Sequence, residues 1–372
     1  MYSAVVVSRR FPPLLAALLL AGCAGKRPAP GAPLFPLTPS WKTLLGDFVV
    51  APLAADGHRI YVATRDAAVR ALDPATGAVA WKAEGVPGRL SAADGVLLVR
   101  GEDGTLWSLQ PRTGALRWKA ETGVAGPLPA AIDGDRALVA GRGLAAVELA
   151  SGRVLWKDTS GAETTAPPVS SGSRLLTGEV DGTLRCRDRE VGLTLWALRT
   201  GGALVAPPLV DEKRRRLYLG TTDKRLLEVS TDKGKLGWAW RVGADIVHPG
   251  LLLPDRVVFA SFDAVLYAVG RGGSLAWRGA LPSRPVSPPL LVGDYLLVAC
   301  LENELVAFAR GTGAKAGALR TTAEIRAAPV LAGGFVVLGL RDRSVIAYAP
   351  GGSPPPVPEP APPPVLPPGA GR

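Results

Sequence analysis

From residue 52 onward, short apolar runs alternate with polar turn signals in a pattern that returns again and again along the chain. The first unit reads Pro52-Leu53, then Arg59-Ile60-Tyr61-Val62-Ala63-Thr64, then Val69-Arg70-Ala71-Leu72, then Ala78-Val79-Ala80-Trp81-Lys82. Asp-Gly, Arg-Asp and Thr-Gly pairs stand between these runs. Four short β-branched or apolar runs bounded by such residues predict four strands joined by tight turns. No stretch after residue 40 keeps a helical period over several turns, so no helix is expected in the mature domain.

The repeat is phased by a glycine followed four positions later by tryptophan. The pairs are Gly77/Trp81, Gly114/Trp118, Gly152/Trp156, Gly192/Trp196, Gly234/Trp238 and Gly273/Trp277, with Gly313/Gly317 as a degenerate seventh. The step from one glycine to the next stays at roughly 40 residues throughout, a period that signals one supersecondary unit copied many times. Four strands in a unit of that length predict the blade of a β-propeller. Eight units begin near Pro52, Leu90, Leu128, Pro168, Pro208, Pro249, Pro289 and Pro329, and the eighth stops at Tyr348-Ala349-Pro350 without a fourth strand. A matching orphan strand, Ser40-Trp41-Lys42-Thr43-Leu44, precedes the first unit. Joining the two pieces completes the eighth blade and closes the ring, which removes an exposed sheet edge. The fold expected is therefore all-β, an eight-bladed β-propeller over residues 39–350. Trp41, Trp81, Trp118, Trp156, Trp196, Trp238 and Trp277 are expected to dock blade against blade, each with its indole N–H bonded.

An acidic residue lies three positions before the third strand in seven of the eight units: Asp66, Asp103, Asp181, Asp223, Asp263, Glu302 and Asp342, with Gly141 in the third. Turn chemistry explains this, because aspartate there bonds the backbone two positions on. A ring of acids around a central cation is the alternative.

The two ends carry different signals. Arg9-Arg10, the apolar run from Leu14 to Leu20, and Leu20-Ala21-Gly22-Cys23 have the layout of a signal peptide over residues 1–22, with an apolar run too short to span a bilayer. The Leu-Ala-Gly-Cys string resembles the bacterial lipobox, which makes Cys23 the expected lipid-carrying residue; Ala24 after it favours the outer membrane. Residues 23–38 are expected to be the lipidated cysteine and a flexible tether. Residues 351–372 are proline-rich and expected to be disordered or polyproline II.

Loss of Arg9 and Arg10 with the leader lowers the formal charge by two, from +11 to +9. The densest basic run, Lys213-Arg214-Arg215-Arg216, falls on an expected hairpin and reads as a solvated loop. An exported lipoprotein does not normally meet nucleic acid, so no nucleic-acid partner is expected. With Cys23 lipidated, two cysteines remain: Cys186 and Cys300 fall in blades three apart, so no disulfide is expected and both read as buried thiols. His58 and His248 share no ligand spacing and are expected at turns or the surface, so no metal site is expected. No nucleophile or phosphate-cradling motif occurs, and no catalytic residue or cofactor is assigned.

The string Ala71-Leu72-Asp73-x-x-Thr-Gly77-x-x-x-Trp81 resembles the tryptophan-docking repeat of quinoprotein (PQQ-like) propellers, across residues 40–350. One branch of that superfamily comprises dehydrogenases that hold pyrroloquinoline quinone beside a calcium ion. A lipobox, a short tether and a bare propeller are similar to the other branch, the BamB family of outer-membrane assembly lipoproteins. That resemblance implies a non-enzymatic scaffold, expected as a monomer, lipid-anchored on the periplasmic face of the outer membrane. It implies a BamA-like barrel subunit, contacted through its periplasmic POTRA domains, and unfolded outer-membrane proteins as partners. A PQQ-dependent dehydrogenase-like enzyme, and a periplasmic or cell-surface adaptor unrelated to barrel assembly, are the alternatives.

Overall fold

The structure is a computed structural model that describes residues 33–351 except 51, 94 and 162. The signal segment, Cys23 and the proline-rich residues 352–372 lie outside the described residues. Every element among the described residues is a strand, and the strands form eight four-stranded antiparallel sheets. In blade one the order is Ala54–Ala55, Ile60–Thr64, Ala68–Leu72 and Val79–Ala83, from the inner strand outward. Blades two to seven repeat that order. In blade eight the inner three strands are Ile325–Ala332, Phe335–Leu340 and Ser344–Ala349, and Thr38–Leu44 pairs with the last of these as the outer strand. The chain is an eight-bladed β-propeller closed by its N-terminal strand.

The strand sequences follow from what each strand touches. All positions of Ile60–Thr64 and of Ala68–Leu72 are buried, because a middle strand has a neighbouring blade against each face. Such strands read as unbroken apolar runs for the same reason as strands of a doubly covered sheet. Val79–Ala83, at the outer edge, is exposed or half-buried at every position. The buried apolar residues form eight clusters, one between each pair of neighbouring blades; Leu297, Leu305, Val336 and Leu338, for instance, join blades seven and eight. The core of this protein is thus a ring of seams.

One local irregularity recurs. In each of blades one to seven the register between third and outer strand slips just before the tryptophan position, as where Ala71 faces Trp81 but Leu72 faces Val79. Blade eight slips between Pro39 and Trp41. A bulge of this kind twists the edge strand and leaves one residue unpaired.

The ring has two distinct faces. One carries the turns between first and second strands and between third and fourth strands. Both described chain ends emerge there, because Thr38 lies opposite Ala349 and the Gly351 amide donates to the Leu34 carbonyl at 3.1 Å. The other face carries the remaining turns and the blade-to-blade connections. The N-terminal approach differs from the tether expected over residues 23–38: Leu34 and Leu37 are buried in the seam between blades seven and eight, so the packed domain starts before residue 39.

Candidate functional site

The seams explain both halves of the glycine–tryptophan repeat. Each indole N–H donates across to a carbonyl in the next blade: Trp41 to Pro74, Trp81 to Pro111, Trp118 to Leu149, Trp156 to Arg189, Trp196 to Thr231, Trp238 to Arg271 and Trp277 to Arg310, at 2.7–3.3 Å. Each ring rests on the repeat glycine of that next blade. At Gly77, φ is +72° and an added Cβ would lie 2.4 Å from the Trp41 ring; at Gly114 it would lie 2.5 Å from Trp81. Glycine is required there twice over, by the left-handed turn and by the approach of the ring.

The eighth seam lacks a tryptophan because Gly317 stands at that position. Its space is filled from the other side by Phe35, whose ring would lie 2.5 Å from a Cβ at Gly317. An aromatic side chain thus serves all eight seams, seven from the preceding blade and one from the N-terminal segment.

The recurrent acids are turn residues. Asp103, Asp181 and Asp342 accept from the backbone N–H two positions on, at 2.9, 3.0 and 3.2 Å. Asp66 accepts from Thr64 and Arg70, Asp223 from Thr221 and Arg225, and Asp263 from Tyr267 and the Gly243 amide. The Thr105 amide and hydroxyl hold the Asp103 carboxyl below the usual carboxylate range. Among the described residues, no group of three or more His, Cys, Asp or Glu gathers that could hold a metal ion. Cys186 and Cys300 are free and buried, and burial pushes their thiols up to about 11 and about 12. His248 lies in the bend that leads into blade six, within the turn or surface place expected of it. It is half-buried, with Nε2 3.3 Å from the Pro285 carbonyl and its ring edge-on to Phe262, and burial lowers its pKa.

Two outward features distinguish one part of the ring from another. The first is the outer edge of blade four, Thr194–Arg199 with the turn before it. Leu193 is 68% exposed, Val191 58%, and Leu195, the unpaired residue of the bulge, 52%. The position after the tryptophan is Lys82, Lys119, Lys157, Arg278 or Lys42 in five blades and alanine in three, Ala197 here beside Ala239 and Ala318 in blades five and seven. Edge strands are commonly guarded against pairing by a charge, and an exposed apolar group on such an edge marks a contact surface. The second is two of the recesses on the face that bears the chain ends, one between blades one and two and one between blades five and six; a third lies between blades six and seven. Sequence patterns did not show either recess, since each is built from turns of two blades that stand a full repeat or more apart along the chain.

The sequence profile of the family described as outer membrane protein assembly factor BamB matches residues 38–159 and 140–351. No curated protein matches in sequence. Among solved structures, the chain is similar to BamB from Moraxella catarrhalis, with TM-score 0.71 and 18% identity over 84% of this chain and 99% of that one. It is also similar to the quinohemoprotein alcohol dehydrogenase of Comamonas testosteroni, with TM-score 0.67 and 14% identity over 85% of this chain and 77% of that one. A computationally designed protein matches with TM-score 0.71 and 17% identity, over 86% of this chain and all of the other. At these identities the solved structures speak for the fold alone, whereas the profile spans the whole ring. By that match, the chain belongs to the family of outer membrane protein assembly factor BamB.

Proposed function

We propose that the chain is a lipid-anchored scaffold on the periplasmic face of the outer membrane, binding proteins during β-barrel assembly. The observation that carries this reading is the family match, which covers every blade. The lipobox-like Leu20-Ala21-Gly22-Cys23 supports anchoring at Cys23. The partners in this reading are a BamA-like barrel subunit and unfolded outer-membrane proteins, and it needs no catalytic residue, metal or cofactor.

The edge of blade four supports the mode of binding. An extended segment of a partner can add to an exposed edge strand by backbone hydrogen bonds, with side-chain pockets setting preference. Covering a leucine such as Leu193 or Leu195 contributes about 1.5–3 kcal/mol when the side chain is fully buried. The solvent-facing Arg199, with 79% of its side chain exposed, adds a charged anchor beside them. Crosslinking followed by purification of the lipidated chain from outer membranes tests the reading: a BamA-like subunit should be recovered. Recovery of other envelope proteins without it would instead support an adaptor unrelated to barrel assembly. The dehydrogenase likeness favours one second reading, tested by adding pyrroloquinoline quinone and calcium and following dye reduction.

A further inference from the structure

Between blades five and six, on the face that bears both chain ends, three arginines surround an open recess of about 430 Å³. Its lining is Arg214, Arg216, Tyr218, Glu228, Arg271 and Gly272. Arg214 and Arg216 come from the hairpin between Leu209–Asp211 and Arg216–Gly220, and Arg271 from the turn after Val265–Gly270 in the next blade. Glu228 is held by Arg216 at 2.6 Å. Behind the lining, the buried Asp211 pairs with Arg271 and lies 3.7 Å from Arg214. The arginines outnumber the carboxylates even when Asp211 is included.

Three donors in this group make no hydrogen bond, one of them the Arg271 Nη1 that forms the ion pair with Asp211. Tyr218 is fully buried and its hydroxyl has no hydrogen-bond partner, and Arg271 Nε has none either. A buried donor without a partner costs about 1–3 kcal/mol, so its retention calls for an explanation. The equivalent Tyr61, between blades one and two, donates to Asp56 at 2.7 Å. In blade five the equivalent carboxylate, Asp211, is engaged by Arg271, which stands where blade two has Pro111. The tyrosine is left with a hydrogen to give.

We infer that this recess binds a phosphate group. Planar guanidinium forks match the oxygens of a phosphate, and charge-assisted bonds of this kind are the strong ones. Arg214 and Arg216 hold the group at the mouth, and the Tyr218 hydroxyl and Arg271 Nε meet it at the floor. The position of the site names two sources of such a group. If Cys23 carries lipid, as proposed above, the short segment from there to Leu34 spans at most about 40 Å when extended. The face bearing the recess is then within reach of phospholipid headgroups; a soluble phosphate ester has the same chemistry.

The test is a titration of the full mature chain with inorganic phosphate, followed by calorimetry and by thermal unfolding. Saturable binding is expected, weakened about tenfold or more by Arg214→Gln with Arg216→Gln. Tyr218→Phe should weaken it several-fold while leaving the unliganded melting temperature unchanged. Absence of saturable binding, or binding indifferent to both sets of substitutions, would overturn the proposal. Flotation of a Cys23→Ser full chain with phosphatidylglycerol or phosphatidylcholine vesicles separates the sources. Binding to the anionic vesicles that phosphate competes away assigns a headgroup, and phosphate binding without vesicle binding assigns a soluble ester. Neither assay involves a partner protein, so its failure would leave the assembly reading standing.

Discussion

The seams between blades one and two and between blades five and six are built alike and finished differently. Each pairs a buried tyrosine with the docking tryptophan: Tyr61 with Trp81 and Tyr218 with Trp238, both at 6.0 Å between ring centroids and 39° between planes. Each indole donates to the same turn position of the next blade, the carbonyl of Pro111 in one case and of Arg271 in the other. The difference is the side chain at that position. Proline leaves Asp56 to the tyrosine, whereas arginine takes Asp211 and frees the hydroxyl. A repeat can therefore hold its packing constant while one turn residue alters the polar chemistry of a seam.

The largest effect should be common to both seams. Trp81→Ala and Trp238→Ala each remove a large ring from its glycine seat and should cost about 3–4 kcal/mol in urea unfolding. Unequal costs would show that the two seams are not equivalent in packing. Next comes Arg271→Ala, which strips a partner from the buried Asp211 and should cost about 2–3 kcal/mol. Its counterpart Pro111→Ala breaks no ion pair and should cost clearly less.

Smaller effects sharpen the contrast. Tyr61→Phe loses the bond to Asp56 and should cost about 1 kcal/mol, while Tyr218→Phe should be close to neutral. Equal costs would mean that Tyr218 has a partner after all. Alkaline pH gives the smallest signal. Burial, and for Tyr61 also the bond to Asp56, raises both phenols above the ordinary tyrosine range. A raised folded-state pKa gives stability that is present below the unfolded value near 10 and lost as pH rises past it. Stability should therefore fall above about pH 10, and Tyr61→Phe should blunt that fall more than Tyr218→Phe.

Much of this architecture is legible in the chain because a repeat writes it many times. Apolar runs mark the middle strands, buried on both faces, and Trp41 in the orphan strand gives away the closure of the ring. Phe35 was hidden for the opposite reason. It occurs once, among prolines, and its partner Gly317 lies near the opposite end of the domain sequence, so no local period connects them. The hairpin Lys213–Arg216 reads as a solvated basic loop, yet Arg215 and Arg216 reach Asp232 and Glu228 at 2.6 Å. Those carboxylates belong to other strands and turns, and only the folded sheet brings them alongside. The exposed edge of blade four is likewise visible only by comparison, once the bulge places Leu195 and Ala197 against their counterparts in the other blades.

Purified components test whether this propeller is a protein-binding scaffold of barrel assembly. The mature chain would be titrated with the periplasmic POTRA domains of the BamA-like subunit from the same cells, and binding followed by calorimetry. Saturable binding is predicted, weakened about tenfold or more by Leu193→Asp with Leu195→Asp, since each substitution puts a charge into the buried contact. No binding by the intact chain, under conditions where it remains folded, would contradict the account.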